Sequence, residues 1–247
     1  MPADLPADIP DQDPTRVLVI TAHPDDVDYG VGGTIAGWTA AGIEVAYCIV
    51  TDGDAGGSDA SLTRAEVGAL RREEQRKAAA VLGVSEVDFL GYPDGRVTVT
   101  LELRRDLARA IRRFRPTRVV IQSPTRDLRS MYGSHPDHTA AGEAAMCAVY
   151  PDARNEFAHP ELLRDEGLAP HAVAETWVMA PMGDGDRHVD ITDTVDRKVA
   201  ALLAHVSQTA HMDKLEEMMR GWGARQAQAG GLPEGRLAES FLVLDTR

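Results

Sequence analysis

The chain has 247 residues and a formal net charge of −13. That acidic balance argues against nucleic acid or an anionic membrane as a main partner, and no apolar run approaches the ~18 residues needed to span a bilayer. The 2 cysteines, Cys48 and Cys147, fall in a predicted strand and a predicted helix, so they read as small buried residues in a reducing compartment rather than a disulfide framework.

Residues 1–14 are acidic and proline-rich, without the basic and apolar regions of a signal peptide. They read as a flexible leader and point to the cytoplasm. From residue 15 to 247, strand and helix patterns alternate, which predicts one α/β domain with a largely parallel sheet covered by helices. The first strand is Arg16 to Ala22. Gly30, Gly32 and Gly33 then suggest a tight turn before a helix from Thr34 to Ala41, stopped at Gly42. A strand from Ile43 to Val50 leads into a glycine-rich loop, and a helix from Thr63 to Leu82 stops at Gly83. Val87 to Leu90 is a short strand, Gly91 to Gly95 a turn, and Leu101 to Phe114 an amphipathic helix. Arg118 to Ser123 is the next strand, Thr139 to Val149 a helix, and Pro151 to Pro170 irregular. Further strands are expected at Glu175–Ala180, His188–Ile191 and Phe241–Leu244, with one helix from Thr194 to Thr209. The five glycines between Gly221 and Gly235 suit a loop or flap.

Two short runs carry the chemistry: His23-Pro24-Asp25-Asp26 and His135-Pro136-Asp137-His138. Each follows a buried strand, and parallel sheets gather strand ends along one rim, so the two runs can meet. Neutral imidazole and carboxylate are the ligands a catalytic zinc ion prefers, three from protein with water in the fourth place. His23 and Asp26 stand three apart in a proline-stiffened turn and can face one ion, with His138 as the third ligand. Asp25 lies within one water of that ion, the place of a general base. His135 sits across the site, where an imidazolium would stabilise charge on a carbonyl oxygen. Asp137 would orient one of the imidazoles. A lone His-Pro-Asp is by default a turn; two such runs after two buried strands favour a metal hydrolase.

These residues also resemble a known family. Ala22 to Asp26, the Gly30-Val31-Gly32-Gly33-Thr34 run and His135 to His138 are similar to the PIG-L/LmbE-like family of zinc-dependent de-N-acetylases. Arg71 to Glu74, Leu82 to Val84, Leu90 to Gly95 and Ala204 to Gln208 fall in the family's order and approximate spacing, so the resemblance covers nearly the whole chain after the leader. It implies a Rossmann-like fold and removal of acetyl from a small N-acetylglucosamine-type conjugate. It implies His23, Asp26 and His138 as zinc ligands, Asp25 as base, and His135, backed by Asp137, as the group assisting the oxyanion or the leaving amine. By default Arg71 is a surface ion-pair residue and Asp94 a turn former; the resemblance makes Arg71 a substrate-hydroxyl contact and sets Asp94 at the sugar pocket. Two departures stand out: Val27 replaces the usual Glu, with Asp28 following, and Ser134 separates Tyr132-Gly133 from His135.

The expected activity is metal-dependent hydrolysis of the N-acetyl group. Fe²⁺ or Co²⁺ could replace Zn²⁺ in a His₂Asp set, and a homo-oligomer is compatible with this reading. The alternative is a metallo-phosphoesterase on a sugar phosphate, which would call for a second metal or a basic cluster. A structural metal module would be closed by four ligands, often cysteine. The glycines at 30, 32 and 33 miss the dinucleotide G-x-G-x-x-G pattern and suit helix packing better. His205 and Gln208, one helical turn apart, read as helix packing with a polar cap.

Overall fold

The computed structural model describes residues 14–57, 59–128, 131, 134–180 and 185–247; nearly all of the expected leader and the Tyr132-Gly133 pair lie outside them. Among the described residues, β1 (Arg16–Thr21), β2 (Glu44–Thr51), β3 (Glu86–Tyr92), β4 (Arg118–Ile121) and β5 (Glu175–Met179) pair in parallel. Two further strands, β6 (Arg187–Asp190) and β7 (Ala238–Asp245), join antiparallel at one edge. The 7-stranded order is β3-β2-β1-β4-β5-β7-β6. The α/β expectation, a mostly parallel sheet flanked by helices, therefore holds.

Alternation along the strands sorts the apolar residues onto two faces. Leu18, Ile20, Cys48, Val119 and Ile121 pack on Leu107 and Ile111 of α3 (Leu101–Phe114) and on Ala144 of α4 (Pro136–Cys147). On the other face Val17, Val19, Tyr47 and Ile49 meet Val31 and Ile35 of α1 (Asp26–Ala40) and Ala78 of α2 (Arg64–Val81). Each fully buried Val, Leu or Ile contributes ~1.5–3 kcal/mol relative to exposure. Helix α2 opens on a capping box in which Thr63 and Glu66 satisfy each other's backbone N–H groups. A short α5 (Pro160–Arg164) lies within the stretch expected to be irregular.

Three expectations are corrected. Gly30, Gly32 and Gly33 form no turn; they lie inside α1, which begins at Asp26. A Cβ at Gly33 would sit 2.8 Å from Ile191, so the absent side chain lets that helix approach its neighbour, as the packing reading has it. The helix expected over Thr194–Thr209 breaks into α6 (Val195–Leu203) and α7 (Val206–Thr209), because His205 turns inward to a buried carboxylate. The expected 221–235 loop is largely α8 (Leu215–Ala229), with Gly223 packed under Leu237. Among the described residues no helix is long and apolar enough to cross a membrane.

Candidate active site

In the sheet, β1 has β2 on one side and β4 on the other, so the direction of strand progression reverses between β1 and β4. A crevice forms at such a point, beyond the carboxyl ends of the strands. The two His/Asp runs leave from those two ends. Gln122 ties them together: its Oε1 accepts the Ala22 N–H at 2.9 Å. This adjacency brings the runs into one site.

The first run curls on itself. Asp26, the first residue of α1, turns its Oδ2 back to accept the His23 N–H at 2.7 Å. His138 Nε2 lies 3.2 Å from His23 Nδ1 and 3.0 Å from Asp26 Oδ1, and Asp26 Oδ2 lies 3.4 Å from His23 Nδ1. Ligand atoms around a tetrahedral zinc with bonds of ~2.0–2.1 Å stand roughly 3.3 Å apart. The donor set suits a divalent cation, with Asp26 facing His138 through Oδ1 and His23 through Oδ2.

The far side of His23 is equally defined. Its Nε2 lies 3.1 Å from Asp94 Oδ1 and 3.3 Å from Asp137 Oδ2. Asp137 also accepts the N–H groups of Gly95 at 2.7 Å and Val97 at 3.2 Å, and Asp94 that of Ala55 at 3.1 Å. Carboxylates at Nε2 keep a proton there and leave Nδ1 free to ligate. Ligand atoms of His23, Asp94 and Asp137 lie within 4.8 Å of one another, as do those of His23, His135 and His138. The Asp94/Asp137 set supports the imidazole from behind, so Asp94 backs His23 as well as shaping its turn.

Charge in the cluster follows from this crowding. Burial alone would lower the His23 pKa, but Asp137, Asp26 and Asp94 outweigh it and push it up to about 12. So many carboxylates around one imidazole make a pocket that favours a cation. Burial opposes ionisation of Asp26, yet His138 and His23 hold its carboxyl well below the ordinary range. Burial raises Asp94 too, but His23 and the Ala55 N–H bring it down to about 2. For Asp25 burial wins over the pull of Arg71 and lifts it to about 6.

Asp25 points along a different line from its neighbour. It has φ 86°, in the left-handed region, where a non-glycine residue costs ~1–3 kcal/mol. Arg71 holds it there: Nη2 donates to Asp25 Oδ2 at 3.1 Å and to the Pro24 carbonyl at 2.7 Å, while Nη1 donates to the Gly53 carbonyl at 3.0 Å. Arg71 is only 4% exposed. It is neither the surface ion pair of its default reading nor an open hydroxyl contact; it lies beneath Asp25.

His135 is the N-cap of α4, its Nδ1 accepting the Asp137 N–H at 3.2 Å. That fixes Nε2 as the protonated nitrogen of the neutral ring. Its ring centroid lies 4.9 Å from that of His23 and 5.2 Å from that of His138. Burial, then the two neighbouring imidazoles, lower its pKa, so the anticipated imidazolium is disfavoured while the neutral ring keeps a donor.

Four residues of this neighbourhood escaped sequence reasoning in any site role: Gln75, Asp28, His205 and Gln122. Asp28 stood out only as a departure from a motif, and Gln75 carried no signal of its own in the sequence. Three further histidines pair away from the site, and His211 is exposed. His171 Nε2 pairs with the Pro116 carbonyl at 2.7 Å, His188 with Ser240 Oγ at 3.2 Å, and His159 lies 3.6 Å from Asp152.

Comparison with known proteins places the chain in a family. The family model described as PIG-L, GlcNAc-PI de-N-acetylase, matches residues 18–149. Diacetylchitobiose deacetylase of Thermococcus kodakarensis is 35% identical over 202 residues, covering 81% of this chain and 72% of that protein. A probable N-acetyl-alpha-D-glucosaminyl L-malate deacetylase 2 of Bacillus anthracis is 31% identical over 212 residues, covering 83% and 85%. The structure of N,N'-diacetylchitobiose deacetylase from Pyrococcus horikoshii superposes with a TM-score of 0.85 at 32% identity, covering 95% of this chain and 85% of that one. With its two His/Asp runs meeting at the strand ends of this sheet, the chain belongs to the PIG-L (LmbE-like) family of deacetylases.

Proposed function

We propose that this protein is a metal-dependent N-deacetylase that hydrolyses the acetamide of an N-acetylglucosamine-type conjugate to acetate and a free amine. The observation that carries this reading is the mutual spacing of His23 Nδ1, His138 Nε2 and the Asp26 carboxylate, 3.0–3.4 Å, with the Asp25 carboxylate pinned beside them by Arg71.

His23, Asp26 and His138 would hold a zinc ion, or Fe²⁺ or Co²⁺ in the same set, which would supply Lewis-acid polarisation of the acetyl carbonyl and a lowered pKa for water. Asp25 accepts the proton of the attacking water as its oxygen adds to the carbonyl carbon. His135 donates from Nε2–H to the oxygen on which negative charge develops. The Asp25 carboxyl then returns its proton to the amide nitrogen, the C–N bond breaks, and acetate and amine leave. Asp94 and Asp137 act through His23, keeping its proton on Nε2. Arg71 acts through Asp25, which replaces its expected contact with a substrate hydroxyl. The relatives named above are deacetylases, and among the described residues no basic cluster at the site points to a phosphoesterase, so that alternative is dropped.

The test is a fluorescamine assay for new primary amine, with N,N'-diacetylchitobiose and the malate and inositol conjugates of N-acetylglucosamine as substrates. Amine release from at least one is expected, abolished by chelator and restored by Zn²⁺. Metal-loaded protein that releases amine from none of them, or release that ignores chelator, would sink the reading.

A further inference from the structure

Helix α2 presents two polar side chains to Asp25, one turn apart. Arg71 takes the carboxylate, and Gln75, fully buried, takes the backbone: its Oε1 accepts the Asp25 N–H at 2.7 Å. The other end of the same amide is also committed. Gln75 Nε2 donates to Asp28 Oδ2 at 2.9 Å, and that oxygen meets His205 Nε2 at 2.9 Å. The side chains of Asp28 and His205 are both 0% exposed, and the reaction described above uses neither.

The polarity of this chain of bonds follows from its members. A carboxylate offers only acceptors, so Gln75 must turn its NH₂ toward Asp28, which leaves its oxygen for Asp25. His205 donates to the same Asp28 oxygen from the break between α6 and α7. Glu74 secures that break, accepting from Ser207 N at 2.8 Å and Ser207 Oγ at 2.6 Å. A freely turning amide could present either end to Asp25; this one cannot. Asp25 is the N-cap of α1 at φ 86°, and its side chain makes no capping hydrogen bond to the helix, so contacts from α2 must offset the strain of that conformation.

We propose that Gln75, oriented by the buried Asp28–His205 pair, is a positioning residue that holds Asp25 in its left-handed conformation and so aims its carboxylate at the attacking water. The proposal rests on Asp25 being the base of the deacetylation.

The test uses the full chain carrying Gln75→Leu, with Gln75→Met in its place if the first does not fold, and His205→Leu. Gln75→Leu is expected to lower kcat by ~10²-fold, the scale of a small misplacement of a reacting group. KM, and the affinity for Zn²⁺ alone measured by isothermal titration calorimetry, should stay at wild-type values. His205→Leu should act in the same direction, and the double variant should be no worse than Gln75→Leu, since the two act in series. A crystal structure of the Gln75 variant should show Asp25 out of its left-handed conformation. Wild-type kcat in a folded Gln75 variant, Zn²⁺ affinity falling in step with kcat, or an unmoved Asp25 in that crystal would overturn the proposal. The crystal decides the positioning role even if the wild-type protein deacetylates none of the substrates, an outcome that would count against the functional reading instead.

Discussion

Asp25 and Asp26 are adjacent carboxylates whose surroundings push them apart. Asp26 faces two imidazoles and stays ionised, whereas Asp25 is lifted by burial and held by one guanidinium. A ligand must stay charged, while a base must take up and release a proton near neutrality. The proposed division of labour, Asp26 as ligand and Asp25 as base, thus follows from which element each one faces. Asp25→Ala should lower kcat by ~10²–10⁴-fold while zinc content, read by atomic absorption, stays at the wild-type level. Wild-type turnover in a metal-replete variant would remove Asp25 from the mechanism. The runs at 23–26 and 135–138 were legible because their roles are encoded within four consecutive residues after an apolar strand. Gln75, Asp28 and His205 were not, since each is a single polar residue on a helix or at a helix break, meaningful only once the three are packed together.

At the scale of elements, the site depends on how closely the helices approach the strand ends. Gly142 of α4 faces the segment that follows β4: a Cβ there would lie 2.4 Å from the Gln122 carbonyl oxygen and 3.0 Å from the Ser123 carbonyl carbon. Backbone cannot yield as a flexible side chain can, so Gly142→Ala should cost ~1–3 kcal/mol and lower the melting midpoint. Gly37 of α1 meets nothing within 4 Å, and alanine there should be neutral or slightly stabilising through helix propensity. Equal thermal melts for the Gly142 and Gly37 variants would refute the argument. Because Gln122 also holds the Ala22 N–H, a shifted α4 would loosen the junction between the two His/Asp runs.

Across the whole molecule, the proposed ion joins loops that follow two different strands, so binding it stabilises the folded chain alone. Free metal at a hundredfold excess over Kd adds about 2.7 kcal/mol, which for a chain of this size raises Tm by roughly 5–10 °C. Scanning calorimetry of chelator-treated protein with and without added Zn²⁺ should show that shift in the wild type and none in His23→Ala or His138→Ala. A wild-type midpoint that ignores zinc would argue that these residues hold no metal.

Local pattern alone determined the strands β1 to β7, the α/β class and the two His/Asp runs, because period-two burial, glycine stops and tetrapeptide spacing act over short stretches of chain. It misjudged α1, α8 and the α6–α7 break, where glycines and a histidine answer to a neighbour rather than to their own segment. The tertiary structure decided which nitrogen of His23 faces His138 and Asp26 and turned Arg71 from the surface toward Asp25. It also recruited Gln75, Asp28 and His205. Those outcomes depend on distances between helices and strands far apart in sequence, and such distances are set only when the core closes.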